Sequence, residues 1–259
     1  MPKIKPVLLL RGARVFFLEI CLISSMPPAA AQTAPENPAY ARVNSFGIFS
    51  AYSNDSSHIL FGIAERRKLL NFGGSYNRRI LLSHKVSWQY SAELLPVALE
   101  SDPLSKLVVK QVTPTVETIV SNGAPLVTCS PQTTSFSVTL QNGVTYSGTQ
   151  TIYCSGRQWT IGEALSPVGM QWNFRPRHAL QPILDWHAGT MYSTQPIPIN
   201  FAGSFNFTVD AGVGIEFYRT RNQSIRAEYR YHHISNADSA PQNPGIDSGL
   251  FQLTYTFGR

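Results

Sequence analysis

The chain has 259 residues, with 21 Lys and Arg against 15 Asp and Glu and a formal net charge of +6. Only 14% of its residues are charged, against about 25% in an ordinary soluble domain, yet after residue 31 no apolar stretch reaches the ~20 residues a membrane helix needs. The combination excludes a helical membrane protein and suits a β-barrel, whose outer face is apolar only at every second residue.

Residues 1–31 read as a secretory signal peptide. Lys3, Lys5, Arg11 and Arg14 give a basic start, Val15 to Met26 an apolar run too short to span a bilayer, and Ala29-Ala30-Ala31 a small-residue cleavage site. Cys21 follows Ile20, not the small residue a lipoprotein site requires. Removing the segment leaves 17 basic and 14 acidic residues, a net charge of +3. No basic run with interleaved aromatics is present, so nucleic acid is not an expected partner. The two remaining cysteines, Cys129 and Cys154, are expected to pair as a disulfide in an oxidising compartment.

Residues 32–43 form a Pro-containing lead, and 44–259 the barrel. A first strand runs from Asn44 to Tyr52 and ends at the turn cluster Asn54-Asp55-Ser56-Ser57. The second is placed within Ile59 to Asn77. The third is clear from Lys85 to Leu94, where Val86, Trp88, Tyr90, Ala92 and Leu94 alternate with Ser87, Gln89, Ser91 and Glu93. Met170, Trp172 and Phe174 mark the fourth, before a tight break at Arg175-Pro176-Arg177, and Leu184, Trp186 and Ala188 the fifth. Phe205 to Phe217 is the sixth, Ile225 to Ser235 the seventh and Asp247 to Phe257 the eighth. Helices would instead group apolar residues at spacings of three and four. The predicted fold is therefore all-β: an eight-stranded antiparallel transmembrane barrel, the smallest common closed form. Connections after the even strands are short and those after the odd strands long, which places the long ones outside the cell. The longest, residues 96–166 between strands three and four, is read as an extracellular insertion that holds both cysteines and a hairpin at Gln141-Asn142-Gly143.

Parity carries the functional signal. From Ile225 onward the odd positions read Ile225, Ala227, Tyr229, Tyr231, His233, Ser235, and the even ones Arg226, Glu228, Arg230, His232. Side chains alternate between the faces of a strand, so His233 and Ser235 stand on the apolar face and His232 on the polar one, as a lumen hydrogen-bonding residue. Asp247, near the start of the next strand, shares the apolar face. A hydroxyl nucleophile, an imidazole base and an orienting carboxylate are the parts of Ser-His-acid chemistry. Asn236, Ala237 and Asn243, in the adjoining loop, are candidate donors to an oxyanion.

The segment His233-Ile234-Ser235-Asn236-Ala237, followed by Asn243 and by Asp247 fourteen residues after the histidine, resembles the outer-membrane lipid A 3-O-deacylase (PagL-like, acyloxyacyl hydrolase) family. The match is most specific over 225–257, looser over 84–98 and 167–224, and places 99–166 outside it. The resemblance implies a bacterial outer-membrane esterase that removes the 3-position acyl chain of lipid A without metal or cofactor. Ser235 would be nucleophile, His233 base and Asp247 the orienting acid, with Asn243 and the backbone of Asn236 and Ala237 around the oxyanion. Lipopolysaccharide and outer-membrane lipids would be its partners, with self-association left open. Asp247 is one methylene shorter than the glutamate of the best-known member, so the hairpin must sit closer or a water intervene. Asp238 stands where glycine is common, and the chain ends Phe257-Gly258-Arg259 rather than on an aromatic. Two rival readings are a non-catalytic outer-membrane barrel for adhesion or envelope structure, and a soluble periplasmic lipocalin-like barrel with its apolar faces inward.

Overall fold

A computed structural model describes residues 40–112 and 115–259; the expected signal peptide and most of the lead lie outside the described residues. Ten strands follow in order: β1 (Asn44–Ser53), β2 (Lys68–Leu82), β3 (Val86–Val112), β4 (Thr115–Pro125), β5 (Gln132–Thr139), β6 (Thr145–Phe174), β7 (Leu180–Ser193), β8 (Phe205–Thr220), β9 (Gln223–Ser235) and β10 (Ile246–Gly258). Neighbours pair antiparallel in the order β4-β3-β2-β1-β10-β9-β8-β7-β6-β5, and a further β3–β6 pairing closes a ring of eight. Closure gives every ring strand two partners, as a strand in lipid requires, because no water is there to satisfy a free edge.

The alternation read from the sequence sorts the two faces. Inward-facing Arg226, Glu228 and Arg230 on β9 meet Glu93 on β3 and Asp185 on β7, all buried. Arg230 pairs with Glu93 at 2.9 Å and with Asp185 at 2.7 Å, and Arg226 with Glu228 at 2.8 Å. His232 Nδ1 pairs with Asp210 inside the lumen, as its parity indicates. At the short-turn end Arg42 reaches in to Glu216 at 2.7 Å. The outward faces carry Ile48, Leu184, Val209, Val213, Ile215, Leu253 and Phe257, all exposed. A lipocalin needs the reverse arrangement, so the soluble ligand-binding reading is overturned: the charges fill the interior and the apolar side chains form the outer belt.

Towards the long-loop end the inward positions turn apolar, with Phe49, Leu69, Leu95, Ala98, Ala164, Met191, Ile234 and Leu250 forming one buried cluster. A cavity of about 20 Å³ lies between this plug and the charged layer, room for roughly one water. That cavity is too small for an acyl chain, so it is not the working surface.

Turns after β2, β6 and β8 are short, and Arg175 takes φ 59° at the break after β6. Beyond the ring β3 and β6 continue as a paired ladder as far as Gln111 and Gly148, flanked by β4 on one side and β5 on the other. The Asn142-Gly143 hairpin joins β5 to β6, with Gly143 at φ 78°. Cys129 and Cys154 are bonded, tying the β4–β5 connection to β6.

The second strand differs from its sequence reading. It begins at Lys68, inside the expected window, and runs past the window's end at Asn77 to Leu82, while residues 54–67 form a loop that doubles back beside the start of β10, with bridges Ser56↔Ser248 and Ala64↔Ile246. Ile59, Leu60, Phe61 and Ile63, in the window but before the strand, are exposed. Gly62 allows the fold-back: a Cβ there would lie 2.5 Å from the Asp247 amide nitrogen.

Candidate active site

β9 and β10 set His233 directly opposite Asp247 in the ladder. Both occupy outward positions, and the imidazole Nδ1 meets Asp247 Oδ1 at 2.6 Å. An aspartate one methylene shorter than glutamate therefore reaches the histidine without a bridging water, because the two residues are register partners. Tyr231, two residues back on the same face, donates its hydroxyl to Asp247 Oδ1 at 2.8 Å. The other oxygen, Oδ2, accepts the backbone N–H groups of Leu60 at 2.7 Å and Phe61 at 2.9 Å. Four donors match the four lone-pair sites of an ionised carboxylate. With Asp247 accepting, Nδ1 carries the proton and the lone pair of the neutral ring is left on Nε2.

Asp247 is fully buried although it sits on the outward face. The β1–β2 loop covers it: Ser57 N–H donates to Asp247 O at 3.1 Å, Ile63 N–H to Pro244 O at 2.8 Å and Ala64 N–H to Gly245 O at 3.1 Å. The Phe61 ring meets His233 edge-on, with centroids 5.6 Å apart, while staying 73% exposed. His233 keeps 15% of its side chain exposed, so the pair has one open side, towards the surroundings of the barrel.

Ser235 shares that side at the end of β9 and is partly exposed. Among the described residues none hydrogen-bonds its hydroxyl, so the structure joins His233 to Asp247 and leaves Ser235 adjacent but unengaged. After it, Asn236 to Ser239 form a tight turn closed by Ser239 N–H to Asn236 O at 3.0 Å, with Ala237 at φ 49° and Asp238 at φ 59°. Two left-handed residues in succession make this a type I′ turn, in which Gly, Asn and Asp are the favoured residues. Asn236 is buried and its amide is occupied: its N–H donates to Asn243 Oδ1 at 3.1 Å and its Nδ2 to Gln242 O at 2.7 Å. The Asn236 N–H and Asn243 Oδ1 are thus engaged with each other; the Ala237 N–H and Asn243 Nδ2 are further donors of the same loop.

Sequence reading missed Leu60, Phe61, Gly62 and Tyr231. The first two act through backbone N–H groups, which carry no residue signature. Tyr231 was legible as an outward residue two before His233, and its hydroxyl is the signal that could have placed it with Asp247.

Fold and site together define an outer-membrane β-barrel whose lipid-facing side bears a shielded His–Asp pair. The sequence model of the lipid A 3-O-deacylase (PagL) family matches residues 126–256, half of the chain, and the chain belongs to that family. The match begins at Leu126, so β5 and all of β6 fall inside the family pattern rather than outside it. No curated protein matches the sequence. Among solved structures the chain is similar to the outer membrane enzyme PagL, at 12% identity and TM-score 0.46, over 82% of this chain and 99% of that one. It is also similar to Neisserial surface protein A (10%, TM-score 0.42, 83% and 97%). A third is OprG from Pseudomonas aeruginosa (10%, TM-score 0.36, 84% and 98%).

Proposed function

We propose that this chain hydrolyses the ester linking an acyl chain to the 3-position of lipid A, with Ser235 as nucleophile, His233 as general base and Asp247 as its orienting partner. The observation that carries the reading is the His233–Asp247 pair, in direct contact at 2.6 Å on the outward side of the barrel. An acyl ester in the outer leaflet lies where that side faces, if the long-loop end is extracellular as the connection lengths indicate.

His233 Nε2 takes the proton of Ser235 Oγ as the oxygen attacks the ester carbonyl. Serine two residues along one strand face lies ~6.5 to 7 Å away at Cα, and its hydroxyl rotates among staggered wells to meet Nε2. The Ala237 N–H and Asn243 Nδ2 stabilise the oxyanion. Collapse breaks the bond to the sugar oxygen, which leaves as the 3-hydroxyl with the proton from Nε2. Water, deprotonated by the same nitrogen, then releases the fatty acid and restores Ser235. Ile59, Leu60, Phe61 and Ile63, exposed beside the pair, provide an apolar approach for the acyl chain.

Mass spectrometry of lipid A before and after incubation with the refolded protein tests this. Loss of one 3-linked acyl chain, abolished by Ser235→Ala, is the expected result. No acyl release by the unmodified, folded protein rejects the esterase and leaves the non-catalytic barrel.

A further inference from the structure

The two amides on Asp247 Oδ2 come from a loop outside the barrel ladder, so something else must hold that loop in place. One foot, Ile63 and Ala64, bonds to Pro244 and Gly245 beside the site itself. The other foot, Glu65-Arg66-Arg67, is held from a distance. Glu65 N–H donates to Val127 O at 2.9 Å. Arg66, at φ 62°, donates Nη1 to Cys129 O at 3.0 Å. Arg67 is fully buried and donates Nη1 to Val127 O at 2.6 Å, Nη2 to Leu126 O at 2.6 Å and Pro198 O at 3.0 Å, and Nε to Asp102 at 2.9 Å.

Most of these acceptors are carbonyls of residues 126–129, in the connection between β4 and β5. The strand order β4-β3-β6-β5 puts its two ends on opposite edges of the extension, so the connection crosses the sheet instead of pairing within it. The disulfide of buried Cys129 to Cys154 on β6 fixes that crossing. A tie thus leads from β6 to the loop whose amides hold the acid, covalent as far as Cys129 and continued by hydrogen bonds from the 126–129 carbonyls to Arg66 and Arg67.

We infer that Arg67 and the Cys129–Cys154 disulfide are positioning elements of the active site, setting the Leu60 and Phe61 amides against Asp247. The inference rests on the reading of Asp247 as the partner of His233. With the tie broken, the loop keeps its contacts to Asp247, Pro244 and Gly245 and the Arg157 bond to Arg66 O, but loses the clamp of the 126–129 carbonyls on Glu65, Arg66 and Arg67. Misplacement on the order of 1 Å at such a site costs roughly 100-fold in rate, and a loss confined to the reacting geometry lowers kcat without raising KM.

The test uses the full chain in detergent micelles, as the Cys129→Ser/Cys154→Ser double variant and as unmodified protein reduced and alkylated. Heat-modifiable gel mobility checks that the barrel is folded, and Arg67→Lys, which keeps the charge but not the fork of donors, serves as a second variant. The expected result is kcat for 3-acyl release down roughly 10- to 100-fold with KM within about twofold, and amide exchange at Leu60 and Phe61 at least about tenfold faster. Unchanged exchange at those amides in the folded, reduced protein overturns the inference, as does unchanged kcat. If unmodified protein releases no acyl chain, the esterase reading fails by itself, and exchange still decides whether the tie holds the loop.

Discussion

Asp247 tests how the acid works at the level of single atoms. Leu60 and Phe61 both donate to Oδ2, while His233 and Tyr231 both donate to Oδ1. Asparagine has one acceptor oxygen and one donor nitrogen, so Asp247→Asn sets an N–H either against two amides or against the imidazole. The second choice favours the wrong tautomer, with the proton on Nε2. Asp247→Asn is therefore expected to lower kcat by about 10²- to 10⁴-fold with the barrel intact, measured as fatty-acid release under saturating lipopolysaccharide. Tyr231→Phe removes one of four donors and keeps the ring, so with three donors left on the carboxylate its expected loss is smaller, about 3- to 10-fold, the scale of one net hydrogen bond. An equal loss in both variants would show that the tyrosine, not the ladder register, places the carboxylate. At this scale the sequence placed His233, Ser235 and Asp247 on one face by parity alone, and missed the Tyr231 hydroxyl on that same face. It was silent at Leu60 and Phe61, whose contribution is main-chain.

The β1–β2 loop shows what an element adds. The window read for the second strand opens with the apolar run Ile59-Leu60-Phe61, whose composition alone fits a half-buried pleated surface. Instead the run is folded over the start of β10, with Gly62 pressed against it: a Cβ would fall 2.5 Å from Asp247 N and 2.7 Å from Ile246 C. Both are backbone atoms, so the loop must move rather than the strand. Gly62→Ala is expected to cut kcat roughly tenfold or more while leaving gel heat-modifiability unchanged, since the ring ladder does not involve the loop. Loss of barrel folding instead would mean that the loop is part of the folding core. By contrast the ring strands were readable, with β1, β8, β9 and β10 close to their expected bounds, because each alternates strictly and one face meets charge while the other meets lipid. The continuation of β3 and β6 past the ring was not readable, since burial there has no period of two: on β3 the polar Asp102 and Ser105 are buried along with Val108.

At the scale of the whole molecule, the two faces invert the usual rule of apolar inside and polar outside, and that inversion has measurable signs. Arg230 lies among Glu93, Asp185 and Glu228, all buried. Removing it takes the guanidinium from Glu93 and Asp185 and leaves Glu228 with Arg226, so Arg230→Met is expected to destabilise by about 3 to 5 kcal/mol, read from the urea midpoint of the folded barrel in micelles. Val213 provides the complementary probe. It lies halfway along β8, outward and 58% exposed, and in a soluble protein an arginine at so exposed a site would change stability by about 0.5 kcal/mol at most. On a lipid-facing strand near the bilayer midplane the same change costs about 2 to 4 kcal/mol, because the guanidinium must leave water. Val213→Arg measured in phospholipid vesicles is thus expected to lower the urea midpoint strongly. A midpoint unchanged by Val213→Arg in vesicles would mean that this face does not meet lipid, and the route by which an acyl ester reaches His233 would have to be sought elsewhere.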